Sequence, residues 1–545
     1  MMKKLLFILF LTFFAINIFS QNSYYVQFKD KNGTEFSLKY PQSFLSQKAI
    51  QRRANQQIAL DSTDLPVSKK YLDLLKNYQA EVVFTSKWLN GATILLYDND
   101  TLQIENIKKL QFVDYVQLTK RVPPPPPEEE EEDFPPSGGF RGTDSGELKG
   151  ATLEEVTGGC STIPQHKMLG LDSLHAVGFR GKGILIAVVD AGFPSVNEMT
   201  AFDNIRPRIF DTYNFVDNND NVYYRSSHGT LVLSTIGANM TDFIGSAPDA
   251  SFLLYISEDT ETETLRETDN WVAAAERADY MGADIITTSL GYSVFNDEND
   301  NFTYSDMDGK TTRISRAAEI AAQKGMLVLN SAGNEGNKSW KYITAPADAE
   351  SVMTIGSVDS LQNRSDFSSM GFSGVIIKPT ICTQGTLTTL VNTNDEIVKG
   401  SGTSFSAPVA AGMAASIWSA FPNIKSFELM EKIIQSSTNY NNPDTLCGYG
   451  IPNVWKIYQN LKKTERYFTE NRVYFAQIKF NSLFIQSSQL NDYTFYLCDV
   501  LGRTIISGSG NGNATFYLPI LSKGIYILKI FDKTLVKPQT IKLIY

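Results

Sequence analysis

Between residues 151 and 460, near-continuous apolar runs recur along the chain. They are ILIAVVDA at 184–191, SFLLYIS at 251–257, ADIITTSLG at 283–291, GMLVLNSAGN at 325–334 and SVMTIGSV at 351–358. A strand covered on both faces loses its polar alternation, so these runs predict a buried parallel sheet. WVAAAERADYMG, RISRAAEIAAQKG and SFELMEKIIQSS carry apolar residues at helical spacing between or after them. Strands alternating with helices predict an α/β domain with helices on both faces of the sheet, and sites in such sheets form at the carboxyl ends of the strands.

The flanks read differently. In residues 22–121, YYVQF, AEVVFTS, ATILLY and VDYVQL predict short strands. LPVSKKYLDLLKNY and TLQIENIKKL predict two helices, which together make a small α+β unit. Residues 122–150 contain PPPPPEEEEEDFPPSGG, where stiff prolines and mutually repelling acids rule out a packed core and predict a linker. From 466 to 545, RVYFAQIKF, YTFYLCDV, ATFYLPI and GIYILKIF alternate with Gly, Ser and Asn turns, which predicts a small β-sandwich. At the amino terminus Lys3 and Lys4 precede an uncharged apolar run from Leu5 to Ile16, and small Ser20 follows, so residues 1–20 are expected to be a cleaved export signal.

Composition narrows the function classes. The chain of 545 residues carries a formal charge of −10 and has no long Lys/Arg cluster, which argues against a nucleic-acid partner. Export permits disulfides. The four cysteines Cys160, Cys382, Cys447 and Cys498 match no zinc spacing, so buried thiols or one structural bridge are expected.

Asp190 ends the first core strand, His228 opens HGTLVLSTIGAN, and Ser404 lies in GSGTSFSAPVAAGMAA, a glycine-rich turn running into an Ala-rich helix. Pro408 is placed in that helix's first turn, where a missing N–H costs nothing. A serine hydroxyl needs a base to become a nucleophile, and a carboxylate must hold that base in one tautomer. A histidine base has to be His166, His175 or His228, and the first two precede the core strands, where packing or solvation is expected. Asn334, between Gly333 and Glu335, could donate to an oxyanion.

VVDAG at 188–192, HGT at 228–230, NSAGNEG at 330–336 and GTSFSAP at 402–408 together resemble the subtilase family of serine peptidases, whose chain order is Asp, His, Ser. The resemblance spans about residues 168–455 and implies an endopeptidase with Asp190, His228 and Ser404 as triad and Asn334 as oxyanion donor. It implies that Ser289, Leu290 and Gly291 pair with extended substrate, while Ser331, Ala332 and Gly333 line the primary specificity pocket. Protein or peptide substrates are the expected partners, and the chemistry needs no cofactor. Structural calcium in the acidic loop 296–310 is conceivable, but no loop pattern supports it.

Departures are Leu231, Leu233 and Ser234 in the histidine helix and Thr380 in KPTICTQG. Residues 22–121 resemble the inhibitory pro-segment of the family. VDYVQLTKR at 113–121 could enter the groove as a strand, ending near Thr119–Arg121, or the bound stretch lies after Gly139. The last stretch, with DVLGRTI and LSKGIYILKI, resembles a type IX secretion sorting domain, implying release or surface display through the periplasm. A catalytically inactive subtilase fold acting as a surface binding module is the competing reading.

Overall fold

A computed structural model describes residues 21–97, 101–121, 152–154, 162–372, 376–471, 474–479, 482–487, 491–533 and 538–545. The expected export signal, the whole linker and Cys160 lie outside the described residues. The chain divides into two compact units between Trp455 and Lys456.

The first unit begins with the pro-segment: β1 (Gln21–Phe28), α1 (Gln47–Gln56), α2 (Lys69–Lys76), β2 (Glu81–Ser86), β3 (Gly91–Tyr97), α3 (Thr101–Lys108) and β4 (Val113–Lys120). The strands form an antiparallel sheet in the order β2-β3-β1-β4. Val26, Ile94, Leu75 and Ile107 meet in its own core. The stretch 113–120 is the edge strand of this sheet, paired on one side to β1. Thr119 is buried there and its hydroxyl donates to Ser23 Oγ at 3.0 Å.

The expected peptidase part follows. β5 (Thr152–Glu154), α4 (Ile163–Met168) and α5 (Leu171–Ala176) lead to β6 (Leu185–Asp190), β7 (Ile209–Asn214), α6 (His228–Gly237) and a small hairpin, β8 (Asn239–Met240) with β9 (Phe243–Ile244). Next come β10 (Ser251–Ile256), α7 (Leu265–Met281), β11 (Ile285–Thr288), α8 (Arg313–Gln323), β12 (Leu327–Ser331), β13 (Met353–Val358) and β14 (Ile381–Gln384). The domain closes with β15 (Thr388–Val391), β16 (Ile397–Ser401), α9 (Thr403–Ala420) and α10 (Ser426–Ser436), and α11 (Val454–Asn471) spans the division between the units.

Seven strands form one parallel sheet in the order β14-β13-β12-β11-β6-β10-β7. Every residue of β6, β11, β12 and β13 is buried, as their apolar runs predict. Helices α6 and α9 pack together against one face, and α7 with α8 against the other. The expected α/β architecture is therefore present.

The pro-segment docks on α7 and α8. Tyr25, Trp88 and Leu89 are buried in the same cluster as Leu265, Trp271 and Val272. Charged contacts add to this docking. Glu276 of α7 accepts from the Ser86 hydroxyl at 2.6 Å and from the Lys87 and Trp88 N–H groups at 3.0 Å each. Asp279 of α7 meets Arg52, Arg53 and Lys87, and Lys324 pairs back to Asp61 and Asp64 of the pro-segment. The Arg313 guanidinium lies 4.4 Å from the centre of the Tyr25 ring and bonds Asp269 at 2.9 Å.

Cys382 and Cys447 form a disulfide, and Cys498 is a buried free thiol. The second unit holds β17 (Tyr474–Lys479), β18 (Ser482–Ser487), β19 (Asp492–Asp499), β20 (Thr504–Asn511), β21 (Ala514–Tyr517), β22 (Ile525–Asp532) and β23 (Gln539–Ile544). They form sheets β17-β18-β21 and β20-β19-β22-β23, whose inward residues Ile478, Leu483, Phe495 and Leu528 share one core. No helix among the described residues is long and apolar enough to cross a membrane.

Candidate active site

Asp190 ends β6 in register with Ile256 of β10, which sets its carboxylate at the carboxyl edge of the sheet. Its Oδ1 accepts the Ala191 N–H at 2.7 Å and lies 2.7 Å from His228 Nδ1, with both side chains buried. This contact puts the imidazole proton on Nδ1 and keeps Nε2 as the basic nitrogen. Glycine after the histidine is required by closeness: a Cβ on Gly229 would lie 2.3 Å from the Gly192 carbonyl oxygen.

The replaced residues of α6 have their own packing. Leu231 and Leu233 are buried, and the Ser234 hydroxyl accepts the Val391 N–H of β15 at 3.0 Å. Thr380 Oγ1 accepts the Thr354 N–H at 3.0 Å, joining β14 to β13 where the family pattern has an acid. His166 and His175 are packing residues away from this cluster, with their rings 5.5 Å apart. Burial pushes them down to about 3 and about 4 respectively.

Ser404 is the second residue of α9, where main-chain N–H groups have no acceptor within the helix. The next residue, Phe405, places its ring 6.0 Å from the His228 ring. Pro408 lies inside the helix rather than in its first turn. It has no N–H for the carbonyl four residues back, which is that of Ser404. Ser289 fills the gap, its hydroxyl donating to the Ser404 carbonyl at 2.8 Å. In return the Ser404 hydroxyl points to the Ser289 carbonyl at 3.4 Å.

The Asn334 amide is oriented by Thr403, a residue whose part no sequence pattern announced. Asn334 Oδ1 accepts both the Thr403 N–H and the Thr403 hydroxyl at 2.9 Å each. With the oxygen so occupied, the amide NH₂ is the end left to act as donor.

A cavity of about 320 Å³ opens beside these groups. Ser289, Leu290, Gly291, Ser331, Gly333, Asn334, Thr403 and Ser404 line it. Ala332 does not; it is fully buried behind the wall against Ile343 and Ala347. The alternation of a strand explains this, because neighbours of Ala332 point the other way. Glu263, Ser293, Val294, Glu335, Lys338 and Thr344 complete the lining, and Lys338 pairs with Glu335 at 3.0 Å. They come from loops after β10, β11 and β12, where pattern carries little information.

No group of three or more His, Cys, Asp or Glu suited to a metal occurs among the described residues. In the loop 296–310, Asp297 accepts from Asn299, Asp306 from Thr303, and Asp308 from Lys310 and Thr311.

Comparison with known proteins bears on the family and the fold. Residues 181–450 match the subtilase family, and residues 23–133 match the peptidase S8 propeptide domain of Bacteroidota. Subtilisin DY of Bacillus licheniformis is 27% identical over 290 residues, covering 53% of this chain and 95% of the relative. Subtilisin E of Bacillus subtilis (strain 168) is 29% identical over 288 residues, covering 52% of this chain and 67% of the relative. The structure of the epidermin leader peptide processing serine protease from Staphylococcus aureus superposes with a TM-score of 0.54 at 17% identity, covering 80% of this chain and 97% of that one, a likeness of fold. This chain carries a serine peptidase domain of the subtilase family behind a propeptide domain of the same peptidase family.

Proposed function

We propose that this chain is an exported serine endopeptidase made as a self-inhibited precursor. The observation that carries the reading is the buried 2.7 Å contact of Asp190 with His228 Nδ1, set beside a cavity that Ser404 and Asn334 line together. In the reaction, Ser404 Oγ turns from the Ser289 carbonyl to His228 Nε2, loses its proton and attacks the peptide carbonyl carbon. Asp190 holds the imidazolium that forms. The Ser404 N–H and the Asn334 NH₂ donate to the oxyanion. His228 then protonates the leaving amine, and water hydrolyses the acyl-Ser404 ester by the same route. Ser289–Gly291 would pair with the substrate backbone.

The propeptide match and the docking of residues 21–121 on α7 and α8 support the precursor role. The apolar run after Lys3 and Lys4 supports export, and the resemblance of DVLGRTI and LSKGIYILKI to a sorting domain supports delivery by a type IX machinery.

Two arms test the reading. A Ser404→Ala chain should keep its pro-segment and cleave no peptide, whereas the wild type sheds the pro-segment and turns over. Equal processing and turnover in both chains would refute the nucleophile. A chain ending at residue 465 should be active but held in the periplasm; normal release would remove the sorting role.

A further inference from the structure

The segment that follows β10 runs along the rim of the site. The Ser257 N–H donates to the Asp190 carbonyl at 3.1 Å, and six residues later Glu263 lines the cavity beside Ser404. Between them the sequence is strongly acidic, with Glu258, Asp259, Glu261 and Glu263. Glu258 turns inward to the Tyr292 hydroxyl. Asp259 is built into the rim. Its carboxylate accepts from the Thr262 hydroxyl at 3.0 Å, and its own N–H is held by Glu267 at 2.8 Å.

Asp259 already grips a cation of this chain. Lys120, at the end of the pro-segment's last strand, lies with Nζ 2.6 Å from Asp259 Oδ2, and both side chains are largely shielded from water. Arg225, three residues before His228, stands 3.5 Å from Asp259 Oδ1 and is itself bound by Asp217 through two bonds of 2.8 and 2.7 Å. Arg225 is thus neutralised by Asp217, and Lys120 neutralises Asp259. The next base, Arg121, is close enough for its charge to act on Asp297 and Asp300 of the facing loop.

We infer that Asp259 is a specificity-determining residue: once the pro-segment is gone, the place of Lys120 receives a lysine or arginine side chain of the polypeptide substrate, upstream of the bond to be cut. The inference rests on the peptidase reading above. The physical ground is that departure of Lys120 leaves one carboxylate uncompensated in a partly dry setting, where a hydrogen-bonded ion pair outweighs an exposed one. The acidic segment also raises the local concentration of cationic chains at low salt.

The test uses the wild-type enzyme after its own processing. Quenched-fluorescence peptides of neutral sequence carry a single Lys or Ala, walked through the positions before the cleaved bond. At one position Lys should raise kcat/KM over Ala by about tenfold, and the advantage should shrink with salt. Asp259→Asn should bring that ratio close to one, and Asp259→Lys should turn the preference toward Glu. Asp259→Asn is nearly isosteric, so it decides the matter if the lysine variant fails to fold. A wild type indifferent to Lys, or a Lys-to-Ala ratio that Asp259→Asn leaves unchanged, overturns the inference while the peptidase reading stands. A wild type that cuts no peptide overturns both.

Discussion

Replacing Asp279 by alanine in an uncut Ser404→Ala chain should loosen the pro-segment by orders of magnitude. Asp279 is fully buried on α7. It faces Arg53 at 2.9 Å and Lys87 at 3.0 Å, and it bonds Arg52 as well. The other bonds of Arg52 go to the main-chain carbonyls of Ala283 and Lys324. Alanine would leave a buried guanidinium without a carboxylate, while Arg53 keeps Asp64 at 2.7 Å. Breaking a buried ion pair from one side costs ~3–5 kcal/mol, because the surviving charge stays desolvated. Since the cations sit on the pro-segment and the acid on the peptidase, the cost falls on docking. It corresponds to about a hundredfold to several-thousandfold easier opening.

Hydrogen exchange of the amides in α1 reads this opening directly. Replacing Arg52, Arg53, Lys87 and Asp279 together by methionine should restore much of the protection, as apolar side chains of similar volume need no counter-charge and Asp64 keeps Lys324 at 2.9 Å. Protection in Asp279→Ala within about threefold of the parent would show that the ion cluster does not hold the pro-segment, and the energetic argument would fall.

The oxyanion assignment predicts that Asn334→Ala lowers kcat by ~10²–10³ with little change in KM, the size such a donor has in a subtilisin; a KM effect alone would make Asn334 a binding residue. Thr403→Val keeps the main-chain bond to Asn334 but loses the hydroxyl bond, so kcat should fall by less than for Asn334→Ala, and an unchanged kcat would deny Thr403 its positioning role. Acid should unfold the peptidase part. Burial holds His166 and His175 at about 3 and about 4, below the ordinary 6.5, so between those values the unfolded chain binds protons that the fold does not. Stability should therefore drop as pH falls from 6.5 towards 3, by at most ~1.4 kcal/mol per pH unit for each histidine, and a thermal-melt slope in His166→Gln equal to the wild type's would contradict this.

The parallel core was legible because burial on both faces leaves strands such as Leu185–Asp190 and Met353–Val358 largely apolar, without polar alternation. The edge strand Ile209–Asn214 was not, since IFDTYN is only half covered and carries no continuous apolar run. Helix α1 escaped for a more specific reason. In QKAIQRRANQ the buried face is Ala49, Arg52 and Arg53, so its amphipathic stripe is cationic and a search for apolar periodicity passes over it. Sequence could mark Arg52 and Arg53 as charged but could not show that Asp279 waits far along the chain. The same limit applies to Thr403, whose hydroxyl matters through Asn334, and to Ala332, whose motif neighbours face the cavity while it faces the core.

Pro408 sets two demands against each other. A helix with an ordinary residue there could complete its own ladder and satisfy the Ser404 carbonyl internally, leaving the Ser289 hydroxyl without that acceptor. With the imino acid, α9 gives up one rung, and the wall of the cavity is stitched through Ser289 to the peptide unit of Ser404. Regularity of the helix is exchanged for cohesion across the sheet edge. A push on the wall would thus reach Ser404 through a single bond, without passing through the rest of the core.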